Sequence, residues 1–268
     1  MALSYDEVRA AVLDYIRLFP SQPQRPAEQV PMNLGVFGQL EQQGRTITDE
    51  DRETARQVFQ ELYLERIIVT GDRAGSSALM SWPFYRVTPY GKQVLASTEY
   101  QPYDPGRYIK RLREAIPMVH EDILRYLEEA LLCFRYGALL ASCVMLGCAA
   151  EKAALLLIET FGNAIADTTK RAKYEKDIDH WVISTKYKAL WKRLEPLAPT
   201  LPGELGDGLH TILDRVFDLI RVTRNDAGHP TGKRVEREVI LGNYILFPSY
   251  CKRVYGLIEY FTSNPANI

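Results

Sequence analysis

Ala141-Ser-Cys-Val-Met-Leu-Gly-Cys-Ala-Ala-Glu-Lys-Ala-Ala-Leu-Leu-Leu-Ile-Glu159 decides the fold class of this chain. It overlaps the longest apolar run, Ala138 to Ile158, which Glu151 and Lys152 interrupt. A bilayer-spanning helix needs about 20 apolar residues and would not carry Glu151 and Lys152 near its centre without cause. The stretch therefore reads as the core helix of a helical protein, running from about residue 137 to 161. On that helix Glu151 shares a face with Val144, Gly147, Cys148, Leu155 and Ile158. A carboxylate on an apolar stripe is costly to bury unless paired, so Glu151 either meets an opposite charge or reaches solvent at a bundle edge.

The flanking sequence is helical in both directions. QPYDPG (101–106) marks a boundary. Beyond it one helix is expected from about Arg107 to Arg135, with a kink at Pro117. After the core helix come a polar, basic connection from Asp167 to Lys188, a short helix near 184–195 and the loop EPLAPTLPGELGDG. Helices at about 206–227 and 235–262 complete an all-helical bundle over residues 105–268. Residues 1–100 differ. Val8, Val12, Tyr15, Ile16 and Phe19 make an amphipathic helix, three prolines in SQPQRPAEQVP break it, and Thr48 with Asp49, Glu50 and Asp51 starts a second helix to about Arg66. IIVTG and WPFYRVT read as two strands around the tip GDRAGSS, and PYGKQVLAS closes the unit.

Helix, helix and a terminal hairpin resemble a winged helix-turn-helix over roughly residues 4–97. The resemblance implies a helix at 49–66 that enters the major groove. Its leading turn, Thr-Asp-Glu-Asp-Arg-Glu, carries four carboxylates that would repel phosphates, so a protein-contact or dimerisation role is the stronger expectation. The fold class expected is mainly α, a helical bundle preceded by an α+β winged-helix-like domain.

Composition agrees with a globular protein: 268 residues, 46% hydrophobic, 25% charged, net charge −1. Residues 1–100 carry a net of −3 and the remainder a net of +2, far from the basic excess of a duplex-DNA binder. MALSYDEVRA lacks the basic and apolar segments of a signal peptide, so a cytoplasmic location without membrane association is expected. Cys133, Cys143, Cys148 and Cys251 form no CxxC pair and read as reduced packing thiols.

The most informative stretch for function is Leu219-Ile-Arg-Val-Thr-Arg-Asn-Asp-Ala-Gly-His-Pro-Thr-Gly232. An arginine a few residues ahead of a histidine is common by composition alone, as Arg113, seven residues before His120, illustrates. A helix ending with a cation in its last turn, Gly228 at its C-terminus and Pro230 beyond accounts for much of the pattern, but requires neither Asn225 nor His229. Leu213, Val216, Phe217 and Ile220 form the buried stripe, and Arg224 extends it by one turn. Two helices each placing one charge on an apolar face suggest a buried Glu151–Arg224 pair. Five residues rotate a helix by about 500°, so Arg224 and His229 come together only if the helix ends between them, which Gly228 permits.

Arg224, polar Asn225 and His229 closing a periodic helix of a bundle resemble the HEPN superfamily over about residues 105–262. Its ribonuclease members carry arginine, a polar residue, three more residues and then histidine. The resemblance implies a metal-independent endoribonuclease acting at a homodimeric site, often in phage defence or toxin–antitoxin systems. Histidine suits proton transfer near neutral pH, and the planar arginine fork suits a phosphate. His229 and Arg224 are thus the expected catalytic pair. Asn225 donates to a phosphate oxygen or orients His229, and Glu151 holds the fork. No cofactor or metal is expected. Arg221, Lys233, Arg234 and Arg237 are candidate RNA-backbone contacts, or else a solvated helix start. Lys170, Arg171, Lys173, Lys176, Lys186 and Lys188 form a second candidate, or else a solvated surface, with nearby Tyr174, Trp181, Tyr187 and Trp191 able to stack bases, although core packing is expected of both tryptophans. Thr231 stands where some HEPN toxins carry a tyrosine that a partner nucleotidyltransferase modifies, which argues against that control. The alternatives are a non-catalytic RNA-binding or protein-interaction module, a protein partner or inhibitor engaging the N-terminal domain, and a winged-helix transcription regulator.

Overall fold

Local rules place the elements before tertiary packing fixes them, and the computed structural model describes residues 2–18, 30–31, 35–71, 84–96, 102, 104–229 and 235–266. The chain is mainly helical. It divides into two compact units, Met1–Arg107 and Tyr108–Ile268.

In the first unit, α1 (Tyr5–Leu18) buries Val8, Val12 and Ile16. A short strand β1 (Val30–Pro31), the turn of helix α2 (Gly38–Gln42) and α3 (Asp49–Leu64) follow. α3 opens with a reciprocal cap: Thr48 Oγ1 accepts from the Asp51 N–H at 3.2 Å while the Asp51 carboxylate accepts from the Thr48 N–H at 2.7 Å. Strands β2 (Ile68–Gly71) and β3 (Phe84–Val87) pair antiparallel, Ile68 opposite Val87. β1 adds to the other edge of β3, with Val30 opposite Tyr85. The sheet order is β1-β3-β2, so the proline-rich segment read as loop contributes a strand. Its prolines conceal it, because Pro in a sheet is confined to an edge. Helix α4 (Pro89–Ala96) then packs so close that a β-carbon on Gly91 would strike the Ile67 carbonyl. The tip between β2 and β3 lies outside the described residues.

Arg9 of α1 is 1% exposed and sits between two carboxylates of the α3 region. Its guanidinium donates to both oxygens of Glu65, at 2.8 and 3.1 Å, and approaches Glu61 at 3.4 Å. Tyr5 donates to the same Glu61 carboxylate.

The second unit does not begin with one kinked helix. α5 (Pro105–Ala115) and α6 (Glu121–Arg135) are separate. Pro117 drives the residue before it out of helical geometry, and the His120 side chain caps the new helix by accepting from the Asp122 N–H at 3.1 Å. The apolar stretch forms α7 (Leu139–Ala164), long and apolar enough to cross a membrane by length and composition. In this fold it is the central helix. Its small residues Ala149, Ala150, Ala153 and Ala154 are fully or almost fully buried, which lets neighbouring helices pack closely.

The polar connection from Asp167 to Lys188 contains α8 (Thr168–Ile178), capped by Asp167. Only Tyr174 of this helix is buried. It rests on Gly162 and donates to the Ile158 carbonyl at 3.0 Å. A helix anchored by one side chain has no apolar periodicity to reveal it. α9 (Ile183–Leu194) follows, then 3₁₀ turns at Glu195–Thr200 and Gly203–Leu205, and a π-turn over His210–Arg215 that runs into α10 (Val216–Gly228). α11 (Arg237–Ser263) ends the unit.

α11 contains Pro248, which has no N–H to give the Tyr244 carbonyl four residues earlier. Tyr108 of α5 supplies the missing donor, its hydroxyl reaching Tyr244 O at 2.7 Å. α11 runs parallel to α7, as the contacts Ser142–Tyr244 (2.8 Å) and Ala150–Tyr250 (3.0 Å) show. α6 runs antiparallel, with Asp122 pairing to Lys152 at 3.2 Å.

Candidate functional site

The stripe of α10 faces α7, burying Val216, Phe217 and Ile220. One turn on, Arg224 continues that side. Room for its stem comes from Gly147, where an added β-carbon would lie 2.6 Å from Arg224 Cβ. Arg224 thus lies across a notch in α7, and its guanidinium arrives beside residues one turn further along that helix.

There Arg224 Nε stands 3.7 Å from Glu151 Oε1, with the arginine side chain 35% and the glutamate 17% exposed. The contact is an ion pair without a hydrogen bond, and both Nε and Oε1 are buried and otherwise unpartnered. Nη1 donates to Asn225 Oδ1 at 3.0 Å. Burial pushes the Glu151 carboxyl above the usual carboxylate range, and the Arg224 and Arg221 charges pull it part of the way back. Burial, then the Glu151 charge, raises the Cys148 thiol, which Arg224 offsets. Cys148 thus stays protonated at neutral pH, a packing thiol at the edge of the charge cluster.

His229 stands apart from this cluster. α10 runs through Gly228 without a left-handed turn, so the helix ends only at the residue before His229. His229 itself leaves the helix with φ −99° and ψ 140°. The stop comes from Pro230, which forces the residue before it into extended geometry, and not from glycine. The imidazole is exposed and forms no hydrogen bond among the described residues. The structure therefore brings Arg224, Glu151 and Asn225 together and leaves His229 outside that group.

The basic candidates diverge. Arg221 donates through Nε and Nη2 to Asp218, at 3.1 and 2.9 Å, so its fork is already engaged. Arg237 lies over the Phe134 ring at 4.2 Å, a cation–π contact that makes it a helix anchor of α11 on α6. Thr231, Lys233 and Arg234 lie outside the described residues. Trp191 is half-buried, its ring edge-on to His210. Trp181 contradicts the core reading outright, being 91% exposed.

Gly147 is the site residue that the sequence did not single out as functional. A glycine one turn before a glutamate on an apolar stripe is a weak signal alone; it becomes specific only once the arginine of another helix is known to lie on it. No family model, no curated protein and no solved structure matches this chain.

Proposed function

We propose that the protein is a metal-independent endoribonuclease of the HEPN type. Its second unit is read as the HEPN-like bundle and its first as a winged-helix-like domain, working as a cytoplasmic homodimer on RNA in phage defence or a toxin-like system. The observation that carries the reading is the held guanidinium: Arg224 is braced by Gly147 and Glu151 and tied by Nη1 to Asn225, with an exposed histidine just past the end of its helix.

The chemistry follows from those groups. Glu151 fixes the Nε edge and Asn225 takes one Nη1 proton, leaving the outer edge of the fork for a phosphate. His229 accepts the proton of the 2′-hydroxyl as that oxygen bonds to phosphorus. The bond from phosphorus to the 5′-oxygen breaks, and the leaving oxygen takes a proton from the His229 of a second copy. The products are a 2′,3′-cyclic phosphate and a 5′-hydroxyl, and no step calls for a metal.

RNA incubated with the protein in EDTA is expected to yield 2′,3′-cyclic phosphate ends. His229→Ala should lower the rate by about 10²–10⁴-fold with unchanged thermal stability. Intact RNA from a folded dimer across pH and salt would refute the proposal.

A second reading has its own observation. No hydrogen bond joins the His229 ring to the Arg224 cluster among the described residues, which suits a non-catalytic module in which Arg224 is structural. It predicts a sharp stability loss for Arg224→Ala and none for His229→Ala. For the first unit, Asp49, Glu50 and Glu53 are exposed at the start of α3 while Asp51 is engaged in its cap, which favours a protein partner over DNA.

A further inference from the structure

Trp181 is more exposed than any other large apolar side chain among the described residues, at 91%. It belongs to the turn between α8 and α9. The turn is ordered by its own hydrogen bond: His180 Nδ1 accepts from the Val182 N–H at 3.0 Å. The His180 ring lies near parallel to the indole, at 14° with centroids 6.4 Å apart. Two aromatic faces are thus held outward where they contribute nothing to the core.

The segment that carries them is basic on balance, with Glu175, Asp177 and Asp179 leading up to the turn. Residues 167–194 hold eight Lys and Arg against four Asp and Glu, a net of +4 in a chain whose net charge is −1. Part of that charge is committed: Arg193 pairs with Asp177 at 2.6 Å, and Arg171 with Glu175 at 2.9 Å. Lys173, Lys176, Lys188 and Lys192 are exposed and form no close ion pair among the described residues. Exposed aromatic faces among unpaired cations are the makings of a single-strand platform, since every base has a face to stack and every nucleotide a phosphate. A protein-binding tryptophan sits in different company, because interface centres are depleted in lysine. Duplex RNA is a poor fit, because its bases are stacked on one another and not free to lie on an indole. The neighbouring groove of about 320 Å³ between α7 and α8 is lined by Glu159 and Glu175 as well as Lys186, so a phosphate backbone is kept to the lysine surface outside it.

We infer that the His180–Trp181 turn, with the free lysines of α8 and α9, is a binding site for single-stranded RNA that stacks an unpaired base on the indole. The inference shares with the proposed function the premise that RNA is bound, and adds the strand state and the place. A fluorescein-labelled 2′-O-methyl oligouridylate of about 12 nucleotides tests it, since lacking a free 2′-hydroxyl it cannot be cleaved. Anisotropy titration of the full-length protein should show saturable binding. Trp181→Ala should weaken it at least about fivefold, with Trp181→Phe keeping most of the affinity. Lys173→Gln with Lys176→Gln should flatten the salt dependence by about 1.4 in the logarithmic slope. A matched duplex should bind no more weakly to Trp181→Ala than to the native protein. Circular dichroism melts should be unchanged, because the indole is not packed. No saturable binding, equal affinity of Trp181→Ala for the single strand, an equal loss for the duplex, or a self-association that vanishes with Trp181 would each overturn the inference. Unmodified RNA separates the two proposals. Trp181-dependent binding without cleavage removes the nuclease and keeps the platform, whereas cleavage with Trp181→Ala affinity unchanged does the reverse.

Discussion

A β-carbon on Gly147 would occupy the space of the Arg224 stem, and the near part of an arginine side chain cannot swing away as its tip can. Gly147→Ala should therefore displace the guanidinium from Glu151 and Asn225 and, if the proposed nuclease reaction holds, abolish RNA cleavage. The loss of stability should be no more than about 1–3 kcal/mol, the ordinary cost of overpacking; full cleavage by a folded Gly147→Ala would remove Arg224 from the reaction. Glu151 offers a pH test. Its folded-state pKa is raised, chiefly by burial, so the folded protein binds this proton more tightly than the unfolded chain. The resulting stabilisation is complete below the unfolded value of about 4.3 and is lost as pH rises through the folded value. Glu151→Gln cannot lose it. Thermal melts should show the variant gaining on the native protein as pH rises above about 4, and melting curves that stay parallel over that rise would contradict the assignment.

Among the elements, α11 is the instructive case, because its periodicity is helical throughout although Pro248 removes one of its hydrogen bonds. The Tyr108 hydroxyl repairs the defect from another helix. Tyr108→Phe should cost about 1–3 kcal/mol, the penalty for an unpartnered buried carbonyl. In a Pro248→Ala background, where the restored backbone N–H can serve the Tyr244 carbonyl, the same change should cost much less. Denaturant midpoints of the four proteins measure this coupling, and additive effects would disprove it. α8 shows the opposite relation of sequence to structure: an ordered helix with a single buried anchor and no periodic signal. α5 and α6 show that Pro117, read as a kink in one helix, ends one helix, and that the His120 side chain caps the start of the next.

At the scale of the molecule, each unit is tied by charges that its composition does not advertise. Arg9→Ala would leave Glu61 and Glu65 facing each other in the interior of the first unit. The expected cost is about 3–5 kcal/mol, with hydrogen-exchange protection lost in α1 and α3; a loss below about 1 kcal/mol would mean that water reaches these carboxylates. Helical class, the central position of α7, and the approach of Arg224 to Glu151 were all readable from the chain, because an apolar period of 3.6 and a lone charge on an apolar stripe are local facts with compulsory physical consequences. The strand at Val30–Pro31, the notch at Gly147, the engagement of Arg237, and the outward Trp181 were not. Each depends on which residue of a distant segment comes within a few ångströms, and pairing, steric clearance and exposure are properties of that encounter alone.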